Sequence, residues 1–215
     1  RGAYYVQTGP NQNLTTDNFL LTNPTPTGMF TSTSVNYHGG VNINGHLGAD
    51  SASLTGGGTN GTNDSLITLS GFIQINAGDD IDAGSAGIQV KFAFDADDNA
   101  RLSLGGLAVI ENDGGHGTGH FVSGNTDLLS AGTGDNAGGT ALITFNAAGL
   151  YDLNGYYHNG AGGIDGQILS SIGAAPGGVG TVPSDRLFQI PEPASITLAG
   201  MGGLLATMRR RRARR

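Results

Sequence analysis

Cysteine is absent from the 215 residues, and so is tryptophan. Without cysteine there is no disulfide framework and no thiolate metal site. Without tryptophan no indole is available to stack on a sugar ring. Lysine occurs once, as Lys91 inside a strand-like run, so no phosphate-cradling P-loop can be assembled. Glutamate occurs twice, and Glu192 sits in a Pro-Glu-Pro triplet. A glycosidase pair would have to come from aspartates, and no spacing singles one out. No G-x-S-x-G elbow occurs either. The chain is expected not to be an enzyme.

Positive charge is scarce except at one place. Six of the ten basic residues fall in the last seven positions. The body up to Met208 carries only Arg1, Lys91, Arg101 and Arg186 against all 17 acidic residues, a net charge of −13. A body this acidic repels nucleic acid and anionic lipid and attracts divalent cations, so no nucleic-acid partner is expected. The sequence opens at Arg1 without a charged-then-apolar leader, which suggests a fragment or a processed form whose signal peptide is missing.

What is abundant is glycine, 39 residues, with many Asn, Ser and Thr and no collagen-type period. Such punctuation between short apolar runs signals turn-rich β structure. Strands are expected at Gly2–Gln7, Met29–Tyr37, Leu66–Ile75 with a bulge at Gly71, Gly87–Phe94, Arg101–Ile110 turning at Gly105-Gly106, Ala141–Phe145, Gly149–His158 and Gly163–Ile172. Ile88, Val90, Phe92 and Phe94 alternate onto one face, as do Leu102 and Leu104. Residues 39–63 read as a long polar loop, functional or mobile. No 3.6-residue period precedes the tail. The fold expected is all-β, an antiparallel β-sandwich or jelly-roll-like domain over 1–172. A flexible Gly/Pro spacer over 173–190 and a short C-terminal hydrophobic helix follow.

The last segment has three parts in order: Pro191-Glu192-Pro193, an uncharged run from Ala194 to Met208, and a block containing Arg209, Arg210, Arg211 and Arg212. Two prolines block helix propagation before the run, and the arginines can snorkel to anionic headgroups on the cytoplasmic side. Fifteen residues make about 22 Å of helix, short of the roughly 30 Å hydrocarbon core, so the transmembrane helix would be a weak, temporary anchor. The three parts together resemble the PEP-CTERM sorting signal of exported bacterial proteins. The resemblance implies a transient stage in the inner membrane of a Gram-negative, exopolysaccharide-making bacterium. Processing by exosortase would follow, with release or transfer to the cell surface, extracellular matrix or biofilm.

Asp95-Ala96-Asp97-Asp98-Asn99 joins two convincing strands. Its carboxylates and amide can offer hard oxygen ligands to Ca²⁺, or can cap local N–H groups as an Asx-rich turn. Asp95, Asp97 and Asn99 match the first, third and fifth places of an EF-hand, but Ala100 and Gly106 stand where its glycine and bidentate acid belong. That motif is excluded. The run from Phe92 through Asp97-Asp98 to Arg101-Leu102 and on to His116 is similar to the strand-turn-strand of protective-antigen-type domains, β-sandwiches of bacterial adhesins, glycosidases and flocculins. Ala148-Gly149-Leu150-Tyr151 and Gly2-Ala3-Tyr4-Tyr5 extend the resemblance over about residues 1–172. In lectin members the Asp pair binds Ca²⁺, which in turn binds sugar hydroxyls. That role carries over to Asp97 and Asp98 alone. Gly105 replaces the family's later Asp, and there is no Trp.

Other clusters are weaker. His116 and His120 lie four apart in a glycine-rich loop, where that spacing fixes no common face. Gly78-Asp79-Asp80-Ile81-Asp82 is an unrepeated acidic turn. Tyr156-Tyr157-His158-Asn159 can line a sugar site at a strand end or form a sheet edge with half-buried rings. The expected function is Ca²⁺-assisted binding of extracellular polysaccharide by an exported, adhesin-like protein. The alternatives are a structural biofilm-matrix protein that binds no sugar, or an accessory module of a carbohydrate-active enzyme.

Overall fold

A computed structural model of the chain describes residues 1–6, 25–97, 99–112, 129–130, 140–160, 162, 164–176 and 178–189. Thirteen strands are present among them: β1 (Gly2–Val6), β2 (Gly28–Phe30), β3 (Asn36–His38), β4 (Ser65–Ile75), β5 (Ile88–Ala96), β6 (Asn99–Leu104), β7 (Leu107–Asn112), β8 (Leu129–Ser130), β9 (Ala141–Phe145), β10 (Gly149–Asn159), β11 (Asp165–Ser170), β12 (Gly180–Thr181) and β13 (Leu187–Phe188). One short helix, α1 (Ile43–Leu47), lies between β3 and β4.

The strands form two antiparallel sheets. The first runs β2-β1-β4-β10-β6-β7, with β13 also on β4; the second runs β12-β11-β5-β9-β8, with β3 also on β11. Alternation decides which side chains meet between them. Ile67, Leu69, Ile73 and Ile75 of β4 and Leu102 and Leu104 of β6 are buried from the first sheet. Ile88, Val90, Phe92 and Phe94 are buried from β5, as their spacing predicts. The layers interdigitate edge-on: Phe94 meets Tyr157 at 6.1 Å between ring centroids, and Phe145 meets Tyr151 at 4.6 Å. The body is the all-β antiparallel sandwich read from the sequence.

Four departures have physical causes. Residues 29–37 are two strands, β2 and β3, that belong to different sheets. Residues 39–63 hold α1 and a 3₁₀ turn over Gly48–Ser53 rather than loop alone. Asn42 caps α1 by accepting from the Gly45 amide, and Ile43, His46 and Leu47 bury one face. Five residues are too few to display a helical period in sequence. Gly71 makes no bulge, since β4 pairs with β10 in unbroken register from Ser65 to Ile75. Its missing side chain instead makes room for the Phe188 carbonyl, which a Cβ would approach to 2.6 Å. The register shift falls between β6 and β7, at Leu102/Ser103.

The stretch expected as spacer is also ordered where it is described. It crosses from β11 to β4 as a strap, burying Val182 and adding β12 and β13. Arg186 grips Asp79 through two hydrogen bonds of 3.0 Å each. Pro and Gly steps mark bends in this strap, because a two-residue strand needs sharp corners on both sides. Residues 191–215, with the sorting triplet, the apolar run and the arginines, lie outside the described residues. Among the described residues no helix is long and apolar enough to cross a membrane.

Candidate functional site

The start of β4, the end of β5, the start of β6, the end of β10 and the start of β11 meet at one end of the sandwich. Register makes this explicit. Asn159 pairs with Ser65, His158 with both Leu66 and Asn99, and Gly166 with Ala96. The Asp95–Asn99 turn therefore stands over the same end as the Tyr156–Asn159 run.

Asp97 is 9% exposed, and its amide donates to the Asp165 carbonyl at 3.2 Å, which tethers the turn to β11. Asp95 lies within β5, opposite Gln167 and on the face away from the core. Asn99 opens β6. Asp98 lies outside the described residues, as do His116 and His120. The Asp79–Asp82 turn is spent on structure: Asp79 accepts from the Asn76 amide and pairs with Arg186, and Asp80 accepts from the amides of Asp82 and Gln89.

Two residues that sequence reasoning did not single out as ligands lie at this same end of the sandwich. Asn159 is fully buried, and its side-chain N–H donates to the Thr62 carbonyl at 2.9 Å. This fixes the amide with its Oδ1 turned the other way, and that oxygen is buried with no hydrogen-bond partner. Asp64 Oδ1 is likewise buried without a partner. Asp64 holds a left-handed backbone, φ 50°, a conformation short polar residues tolerate best. Its amide donates to the Gly160 carbonyl at 3.0 Å, next to Asn159. Buried oxygens normally have partners, and leaving one unpaired costs about 1–3 kcal/mol. Two orphaned oxygen acceptors at the end of the sandwich that also carries a buried aspartate are the kind of donors a hard cation takes. Among the described residues no three His, Cys, Asp or Glu side chains cluster, so a protein-only site here must draw on an amide oxygen. The Tyr-His-Asn run at the end of a central strand was the available signal for Asn159. Nothing local marked Asp64.

The same end carries a polar network from the 39–63 insert. The ring of His46 bridges the Gly39 carbonyl, at 2.8 Å from Nδ1, and the Tyr157 hydroxyl, at 2.8 Å from Nε2. Burial lowers the His46 pKa to about 4, against the opposing pull of the Gly39 carbonyl. The neutral ring thus donates at Nδ1 and accepts the Tyr157 proton at Nε2. Burial likewise pushes the Tyr157 hydroxyl well above its ordinary value. Nearby, Asp165 accepts from the Gly39 amide at 3.3 Å and lies 2.9 Å from His38 Nδ1. β10 is thus a central strand, and Tyr157 is sealed in the core rather than half-buried at a sheet edge.

No curated protein matches the chain in sequence. Residues 189–212 match the PEP-CTERM protein-sorting motif. Among solved structures, a PA14 sugar-binding domain from an RTX adhesin superposes with a TM-score of 0.63 at 18% identity, covering 88% of this chain and 97% of that one. The PA14 domain of the antifreeze protein MpAFP gives 0.64 at 20% identity, covering 89% and 90%. An anti-sigma factor domain-containing protein from Clostridium clariflavum gives 0.51 at 16% identity, covering 89% of this chain and 47% of that one. Identities this low speak to fold alone. The body has the β-sandwich fold of PA14 domains, and residues 189–212 carry the PEP-CTERM sorting motif of an exported protein.

Proposed function

We propose that the chain is an exosortase substrate whose body, a domain of the protective-antigen type, binds extracellular polysaccharide through a Ca²⁺ ion. Asp97 and Asp98 would supply carboxylates from the β5–β6 turn, Asp64 an oxygen from just before β4, and Asn159 an oxygen from the end of β10. The ion would satisfy those orphaned acceptors and leave coordination places for sugar hydroxyls. The observation that carries the reading is the pair of buried, partnerless oxygens at the end of the sandwich where the aspartate turn lies. The fold it shares with a sugar-binding PA14 domain supports the choice of ligand.

Binding that favours the native state raises stability by about 2.7 kcal/mol at a hundredfold excess over Kd. For a domain of this size that is a melting shift of about 5–11 °C between Ca²⁺ and chelator. Asn159→Ala and Asp97→Asn should remove the shift. Identical melting of the wild type with Ca²⁺ and with chelator refutes the metal site. The absence of tryptophan favours a second reading, a matrix protein that binds no sugar; a glycan array silent with and without chelator would support it. For the tail, alanines at Pro191, Glu192 and Pro193 should leave unprocessed chain in the inner membrane, and unaltered processing would count against exosortase.

A further inference from the structure

The outer face of the first sheet holds a second feature, away from the cation end. Register places Arg101, Tyr156 and Thr68 side by side across β6, β10 and β4, and Ser103, Asn154 and Ser70 in the next row. These positions alternate with the buried Leu69, Leu102, Leu153 and Tyr157, so they point outward. Tyr5 pairs with Leu66 and flanks Thr68 from β1. Together these residues line a shallow depression of about 400 Å³. Three strand spacings make it about 14 Å across, the span of a short oligosaccharide.

Its chemistry is unlike the rest of the body. The floor is short hydroxyl and amide side chains: Thr68, Ser70, Ser103 and Asn154. Tyr5 and Tyr156, both half-buried, stand above it. Among the described residues no carboxylate lines it, although the body carries 17 acidic residues, and Arg101, one of its few cations, does. We infer that this face holds a strand of pyranose polysaccharide without a metal ion. The sugar rings would lie against Tyr5 and Tyr156, and the sugar hydroxyls would bond to Asn154, Ser103 and Ser70. An extended peptide would seek a sheet edge rather than a face, and nucleic acid is repelled by the net charge. Tyr156 and Thr68 stand three and four residues along their strands from Asn159 and Asp64, about 10–14 Å away. The inference is therefore independent of the cation site, and either can fail alone.

The test is affinity electrophoresis of the full chain in native gels containing chelator, cast with hydroxyethyl cellulose as the neutral polymer or alginate as the acidic one. Retardation of the wild type in at least one gel is expected, weakened about tenfold by Tyr156→Ala, the loss of one ring contact. Because Tyr156 is half-buried, Asn154→Ala gives a second reading; Asn154 is exposed, so its replacement should weaken retardation with melting unchanged. Asn159→Ala should be retarded like the wild type. No retardation under chelator in either gel overturns the inference, as does retardation of the Tyr156 and Asn154 variants equal to that of the wild type. Retardation that appears only with Ca²⁺ and vanishes in Asn159→Ala also overturns it, and leaves the cation end as the sugar site.

Discussion

Acid should weaken this domain by an identifiable amount through His46. Its ring is 2% exposed, sits between the Gly39 carbonyl and the Tyr157 hydroxyl, and has a pKa lowered by burial to about 4. The unfolded chain titrates at about 6.5. Because the folded value is the lower one, the unfolded state takes up the proton first, and stability falls as pH drops below about 6.5. The full shift of about 2.5 units corresponds to about 3.4 kcal/mol, of which about 2 kcal/mol is lost by pH 5. The charged and titratable groups around the ring are Tyr157 and Tyr37, which stay protonated throughout, with Asp165 and His38 close by.

Urea unfolding at pH 7.5 and pH 5, with chelator present, measures this directly. The wild type should lose about 2 kcal/mol more between the two conditions than His46→Gln, since carboxylate contributions common to both proteins cancel. The variant itself should be less stable at pH 7.5 by about 1–3 kcal/mol, because the buried Tyr157 hydroxyl loses its acceptor. Only the difference in pH dependence tests the reasoning. Parallel losses in the two proteins would show that His46 is not held neutral, and the argument from burial would fall.

Two further outcomes follow from packing. Arg186→Ala should cost about 2–4 kcal/mol, because it leaves Asp79, 6% exposed, without its cation. The strap over residues 178–186 should then be cut by protease before the sandwich unfolds; unchanged proteolysis would mean that β13 alone holds it. Gly166→Ala would set a Cβ onto the ring of Tyr157, which has no free space around it. Overpacking of this kind costs about 1–3 kcal/mol, and a melting temperature within a degree of the wild type would contradict the close approach.

The central strands were legible because they are long and alternate cleanly. Ile88, Val90, Phe92 and Phe94 announce both the strand and its inward face, and Ala141–Phe145 matches residue for residue. Short elements were not legible. β12 and β13 have two residues each, and no pattern exists at that length. Their stability comes from partners distant in sequence, Thr181 opposite Leu169 and Leu187 opposite Ile73. The candidate site divides the same way. The aspartate turn is contiguous, so its oxygens could be read as a group, whereas Asp64 and Asn159 become neighbours only when β4 and β10 pair.

That pairing also explains what the 39–63 insert contributes. Its last residues give the Thr62 carbonyl that holds the Asn159 amide, and its helix gives His46, which accepts a hydrogen bond from the hydroxyl of Tyr157 two residues earlier on β10. Successive inward-facing residues of one strand are thus anchored to the same insert. The Asn159 oxygen stays partnerless because its amide nitrogen is already engaged, and a side chain free to turn would pair that oxygen with water or with a backbone N–H. The energy to keep an acceptor buried and unpaired has to come from contacts that hold its surroundings still. Here those contacts are the packing of Ile43 and Leu47 into the core and the His46–Tyr157 bond. A stretch whose composition reads as plain loop is therefore what preorganises the Asn159 oxygen for a cation.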